Sequence, residues 1–192
     1  MSLHLKRALA GLAIALALPL AHAQYRQLNV PATTQEHSQW CWSGSSKAVI
    51  GFYKAAPTQC AIVNWAFGIN YACGNGSFNW NSYANQPNSL YGTNGSVQNI
   101  LSNWGVPTYA YTYASSWNSI VSDINANKPF VIRFGWTSGG GHIMVGTGYE
   151  VWNGYSYVTY MNPWPGEGNS EDLYNWMVSA NDHRWTHTLR VR

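Results

Sequence analysis

Three side chains have the types and settings for nucleophilic catalysis: Cys41, His142 and Asn162. Cys41 lies in the run QEHSQWCWSGSSKAVIGFY, residues 35–53, at the first turn of a predicted helix. The positive end of a helix dipole favours the thiolate, the nucleophilic form of cysteine. His142 follows Gly139, Gly140 and Gly141, which allow close backbone approach and leave the imidazole at the start of a strand. Asn162 ends a second β-rich run, just before Pro163 and Trp164. A thiol needs a base to take its proton, and the base needs a third group to fix its tautomer and orientation. Cys41, His142 and Asn162 fill those roles in that order. Gln35, six residues before the cysteine, offers a side-chain amide to an oxyanion, beside the backbone N–H of Cys41. The competing readings are structural: a buried thiol, a strand histidine, a turn asparagine before proline, and a loop glutamine bonded to backbone.

The cysteines are Cys41, Cys60 and Cys73. A disulfide between Cys60 and Cys73 would close a short loop around a predicted helix opening at Pro57-Thr58, worth about 3 kcal/mol by the chain-entropy argument. That pairing leaves Cys41 as the odd thiol. Pairing of Cys41 with either of the others stays open at this point and would remove the nucleophile.

The elements that must position these residues read in two blocks. After Cys41, the residues Ser45, Ala48, Val49 and Phe52 fall on one helical face, and the small residues near its start invite close packing. Further helices are predicted over about Ser96–Trp104 and Ser116–Asn125, separated from the first pair by a long Asn/Gly/Ser-rich segment, residues 74–95. Phe78, Trp80, Tyr83 and Tyr91 of that segment are candidates to line a cleft. From Pro129 the pattern turns to strands: Phe130–Phe134, His142–Val151, Tyr155–Met161 and Trp185–Val191. The expectation is an α+β domain, a helical part over about 35–127 and an antiparallel β part over about 128–192, with the nucleophile helix packed on the sheet.

Register sets a condition on the triad. A regular two-residue Asn153-Gly154 turn would place Asn162 opposite Val145, on the other face from His142, because strand side chains alternate. A three-residue turn with a bulge, or another bulge along these strands, returns Asn162 to the histidine's face.

The runs Q-E-H-S-Q-W-C-W at 35–42, G-G-G-H at 139–142 and N-P-W at 162–164 resemble papain-like cysteine peptidases of bacteria. The likeness is to the compact branch that includes the AvrRpt2-type effector proteases, with C39-like peptidases related in pattern. The resemblance implies a papain-like fold, thiol peptidase activity, Cys41 as nucleophile, His142 as base, Asn162 as its orienting partner and Gln35 in the oxyanion hole. It also implies that Trp164 shields the His–Asn pair. The plant-enzyme signature C-G-S-C-W is absent, and Ser43 stands where relatives commonly carry alanine.

Composition bounds the rest. Residues 1–23 read as a cleaved secretory signal peptide, with Lys6 and Arg7, an apolar run from Ala8 to Leu20, and Ala21-His22-Ala23 before the cut. Residues 24–192 then form one peptidase domain, secreted or periplasmic. Without Lys6 and Arg7, eight basic residues face seven acidic ones, and charged residues make up 9% of the chain against a usual ~25%. Such a surface argues against nucleic acid or an anionic membrane as partner, and an apolar run of thirteen residues is too short for a membrane anchor. A protein or peptide substrate is expected, with a separate inhibitor or immunity protein as a further partner. His183 and His187 lie four apart but lack a supporting ligand set, so neither a metal nor a cofactor is expected. Eleven scattered tryptophans read as core and scaffold. The alternatives are a Cys–His amidase or acyltransferase acting on cell-wall peptide or glutamine amide, and a non-catalytic Trp-rich binding module.

Overall fold

The computed structural model describes residues 24–74 and 76–192, so the predicted signal segment lies outside the described residues. The elements run β1 (Gln24–Gln27), α1 (Cys41–Tyr53), α2 (Gln59–Phe67), α3 (Val97–Asn103), β2 (Thr108–Tyr111), α4 (Trp117–Asn125), β3 (Phe130–Trp136), β4 (His142–Trp152), β5 (Tyr155–Asn162), β6 (Gly168–Leu173), α5 (Tyr174–Val178) and β7 (His183–Val191). The architecture is α+β. One antiparallel sheet has the order β2-β7-β3-β4-β5-β6, and β1 also pairs with β4.

β4 is the axis of this sheet. Its first half, 142–146, pairs with β3, while its second half, 148–151, pairs with β1 on the same edge. Its other edge carries β5 along most of its length. An inner strand covered on both faces needs apolar residues on both, and HIMVGTGY is buried throughout.

The turn between β4 and β5 is a regular two-residue one. Trp152 faces Tyr155, and Asn153 and Gly154 take left-handed conformations with φ of 49° and 80°. The register shifts further along the ladder instead. Gly148 faces Thr159, yet Gly146 faces Tyr160, leaving Thr147 as the extra residue of a bulge. The Leu28 N–H takes up the Thr147 carbonyl at 2.8 Å, so the bulge does not strand a buried acceptor. Gly146 is required at this point, since a Cβ there would meet the Phe130 ring at 2.1 Å.

α1 departs from the expected single buried face. Trp42, Ser43, Gly44, Ser45, Ser46, Ala48, Val49 and Ile50 are all buried, because β4 covers one side and α2 and α3 cover others. Its small residues serve that crowding. The Ser45 hydroxyl donates to the Ile143 carbonyl at 2.9 Å and Ser43 to the Gln59 carbonyl at 3.0 Å. A Cβ on Gly44 would press on Pro163 at 3.2 Å.

The two-block division also needs correcting. β2 arises inside the stretch expected to be helical and extends the sheet beyond β7, while α5 interrupts the β part. Cys60 and Cys73 are joined by a disulfide with Cα atoms 5.0 Å apart, and Cys41 is free.

Candidate active site

Cys41 is the first residue of α1, after Trp40 in the N-cap position, and no side chain caps the helix. The orphan N–H groups of a first turn are therefore available at the sulfur. The loop ahead of it is held from two sides by buried amides. Gln59 donates to the Thr34 carbonyl at 2.6 Å and accepts from the Glu36 N–H at 3.1 Å. Asn85 accepts from the Gln39 N–H at 3.1 Å and donates to the Ser38 hydroxyl and the Trp80 carbonyl at 2.9 and 3.0 Å. Trp40 and Trp42 flank the thiol, and their indole N–H groups donate to the Ala84 and Gln86 carbonyls. The tryptophans on either side of Cys41 thus anchor the 74–95 segment against the nucleophile loop.

The bulge at Thr147 brings Asn162 to the face of His142, and their side chains meet at 2.7 Å between Nε2 and Oδ1. The same Oδ1 accepts the Trp164 backbone N–H at 3.0 Å. A backbone N–H can only donate, which identifies that amide atom as oxygen. The oxygen in turn requires His142 Nε2 to carry the proton, leaving Nδ1 as the basic atom. Trp136 lies nearly parallel to the imidazole at 6.3 Å, and Trp164 meets it edge-on at 5.8 Å. Trp164 is 51% exposed, so the cover over the pair is shared between two indoles.

Cys41, His142, Asn162, Gln35 and Trp164 all border one cavity of about 470 Å³, with Glu167 at its rim. Gln35 is buried, but both of its amide hydrogens are engaged, by the His37 and Ser38 carbonyls at 3.0 Å each. Its Oε1 is buried without a partner. As placed, Gln35 braces the loop ahead of Cys41, and its amide hydrogens are not free to meet an oxyanion.

Burial governs both titrating groups. It pushes the Cys41 thiol up, against backbone N–H contacts and the Arg133 charge that favour the thiolate. Burial also pushes the His142 imidazole down, against its bond to Asn162 and the charge of Glu167. In each case burial is the leading influence and disfavours the charged form of that group.

The other histidines among the described residues lie elsewhere. His183 is buried between Asp182 and the Trp176 carbonyl, stacked on Phe134. His187 faces a second cavity with Arg133 and Tyr91. His37 stacks on Phe78 at 3.5 Å between Trp40 and Trp80. Of the aromatic residues proposed to line a cleft, Tyr91 reaches the space beside Cys41, while Trp80 and Tyr83 are exposed. No motif in the sequence singles out Gln59, Asn85, Trp136 or Arg133. A single amide in an irregular segment or at a helix start carries no periodic signal, although a buried Asn or Gln needing partners is a recurrent loop-fixing device.

Comparison with known proteins adds the family. No curated protein matches the sequence. Among solved structures, a double glycine motif protease from an AMS/PCAT transporter, in complex with its leader peptide, is 15% identical with a TM-score of 0.49, covering 86% of this chain and 94% of that one. A chain from the structural work on antibody cross reactivity between the mite allergens Blo t 1 and Der p 1 is 12% identical with a TM-score of 0.50, covering 83% and 66%. Procathepsin L 3 of Tenebrio molitor larval midgut is 15% identical with a TM-score of 0.49, covering 93% and 72%. At 12% identity the mite-allergen chain, the one of these with a TM-score of 0.50, speaks to the fold alone. The Peptidase_C39 like family, in contrast, matches residues 27–191, nearly all of the described chain. The chain belongs to that family, and is a cysteine peptidase.

Proposed function

We propose that the chain is an exported peptidase that hydrolyses peptide bonds through Cys41, His142 and Asn162. The observation that carries this reading is the two-donor bond set at Asn162 Oδ1, which leaves Nδ1 as the basic atom of an imidazole that borders the same cavity as Cys41. In the reaction, Nδ1 takes the thiol proton as Sγ attacks the scissile carbonyl carbon. The oxyanion accepts the Cys41 N–H, joined by the Gln35 amide when it gives up a loop carbonyl. Nδ1–H then protonates the leaving amine, the C–N bond breaks and a thioester remains on Cys41. A water, deprotonated by the same Nδ1, attacks the thioester; the acid product leaves and the thiol is restored. Asn162 keeps the imidazole aligned throughout, and Trp136 and Trp164 limit the access of water to that bond.

Export rests on the apolar N-terminal run and on the Cys60–Cys73 disulfide, which suits an oxidising compartment. Among the described residues no helix is long and apolar enough to cross a membrane.

The test is cleavage of an internally quenched peptide pool and casein, with peptidoglycan and amine acceptors in parallel. Cys41→Ala should abolish turnover, and His142→Ala should lower kcat/KM by about 10³-fold. Hydrolysis that survives in Cys41→Ala would sink the reading. Product formed only with an added amine, or only from peptidoglycan, would move the same residues to an acyltransferase or amidase.

A further inference from the structure

A second cavity of about 510 Å³ shares Cys41, Gln39 and Gly141 with the first but is not bordered by His142 or Asn162. Besides the thiol, its titratable and charged walls are Tyr91, Arg133 and His187, and no carboxylate borders it. Arg133 and His187 are register partners on β3 and β7, and Arg133 faces Ile143 on β4. Because strand side chains alternate, this group lies on the opposite face of the sheet from His142.

The guanidinium is seated by the backbone around it. Nη1 donates to Thr186 Oγ1 at 2.8 Å, and Nη2 reaches the Gly140 carbonyl at 3.4 Å. A Cβ on Gly141 would lie 3.0 Å from Nη2 and 3.1 Å from Cζ, and one on Gly135 would lie 3.3 Å from Nη1. The glycines on either side thus clear the space in which the guanidinium lies. Neither ion pair among the described residues involves Arg133. Five N–H donors with two partners, half-buried and without a counter-ion, make a berth for a carboxylate.

The chemistry assigns the two cavities to different halves of the substrate. The leaving amine takes its proton from His142, so it departs over the cavity that His142 and Asn162 border. The acyl half stays on Sγ, and its side chains fall on the other side of the thiol. Resting on the peptidase reading, we infer that the Arg133 cavity selects an aspartate or glutamate side chain on the acyl side of the scissile bond, with His187 beside the arginine.

The test uses the full mature chain and acyl-tripeptide vinyl sulfones that differ only in Glu, Gln or Lys at one of the two residues nearest the warhead. Iodoacetamide serves as the uncharged reference for the Cys41 thiol. Glu reagents should inactivate at least about tenfold faster than Gln at one position, and Lys reagents more slowly still. The gap should vanish in Arg133→Gln and persist in part in Arg133→Lys; the comparison within the unaltered chain does not depend on either variant folding. If iodoacetamide labels Cys41 but the three reagents react alike, selection of a carboxylate is overturned and the peptidase reading stands. A Cys41 inert to iodoacetamide and to every reagent would remove the peptidase reading and this inference together.

Discussion

The protonated nitrogen of His142 is decided by a backbone amide two residues beyond its partner. Trp164 N–H fixes which atom of the Asn162 side chain is oxygen, and that oxygen fixes the imidazole. The base must be neutral to accept the thiol proton, and burial holds its pKa below the ordinary 6.5. Activity should therefore persist as pH falls below 6.5 and decline only when the lowered value is reached; the acid limb of kcat/KM against pH is the check. Asn162→Asp puts a negative charge beside the imidazole and stabilises its charged form. Its acid limb should move to higher pH than that of the unaltered chain, and an unmoved or lower limb would show that Asn162 does not face the working base. At this scale the sequence was informative about residue type. A cysteine between two tryptophans, a histidine after three glycines and an asparagine before Pro-Trp are readable from letters. What surrounds them was not readable, because Arg133, Asn85 and Gln59 act through distances between residues far apart in the chain.

Among the elements, the placement of Asn162 turns on one extra residue. The Asn153-Gly154 turn is the ordinary hairpin that its dipeptide signals, and on its own it would leave the asparagine on the wrong face. Thr147 corrects this halfway along β4, where Gly146 and Gly148 admit Phe130 and the β1 backbone. The need for a bulge followed from the alternation of side chains; its position depended on a strand partner, β1, that the sequence did not reveal. QYRQ, on a largely exposed strand, has no apolar alternation to read, and GNSEDL in β6 has none in its letters although its burial alternates. Deleting Thr147 should restore an unbroken ladder and turn His142 away from Asn162. The expected result is a chain that retains strand signal by circular dichroism but loses at least about 10³-fold in kcat/KM. Near-normal turnover would mean that the bulge does not set the pair. Asn85→Ala tests the loop ahead of the nucleophile. It removes three hydrogen bonds from a buried site and should cost about 2–3 kcal/mol in urea unfolding.

Across the molecule, charge is scarce and histidine carries much of the response to pH. The Cys60–Cys73 bridge should contribute about 3 kcal/mol, because it closes a short loop in the unfolded chain. Neither sulfur borders the Cys41 cavities, so replacing both cysteines by alanine should lower the urea midpoint with kcat little changed. Acid should act through other groups. Burial lowers the pKa of His37, His142 and His187 below the ordinary imidazole value. His37 is enclosed by Trp40, Phe78 and Trp80, with Nδ1 buried and unpartnered, so it has little to gain from a second proton. For each of these histidines the unfolded chain binds a proton more readily than the folded one. Their stabilisation is whole above pH 6.5 and is lost as pH falls from there through the lowered values. Glu171, raised by burial and by Glu150, works in the opposite sense nearer the carboxylate range. The histidine contribution is therefore isolated between about pH 7 and pH 5.5. Over that window the urea midpoint should fall, with an unchanged slope, and His37→Gln should flatten the fall. A midpoint that holds constant or rises on acidification would mean that these imidazoles are solvated in the folded chain, and that the aromatic enclosure of His37 is open to water.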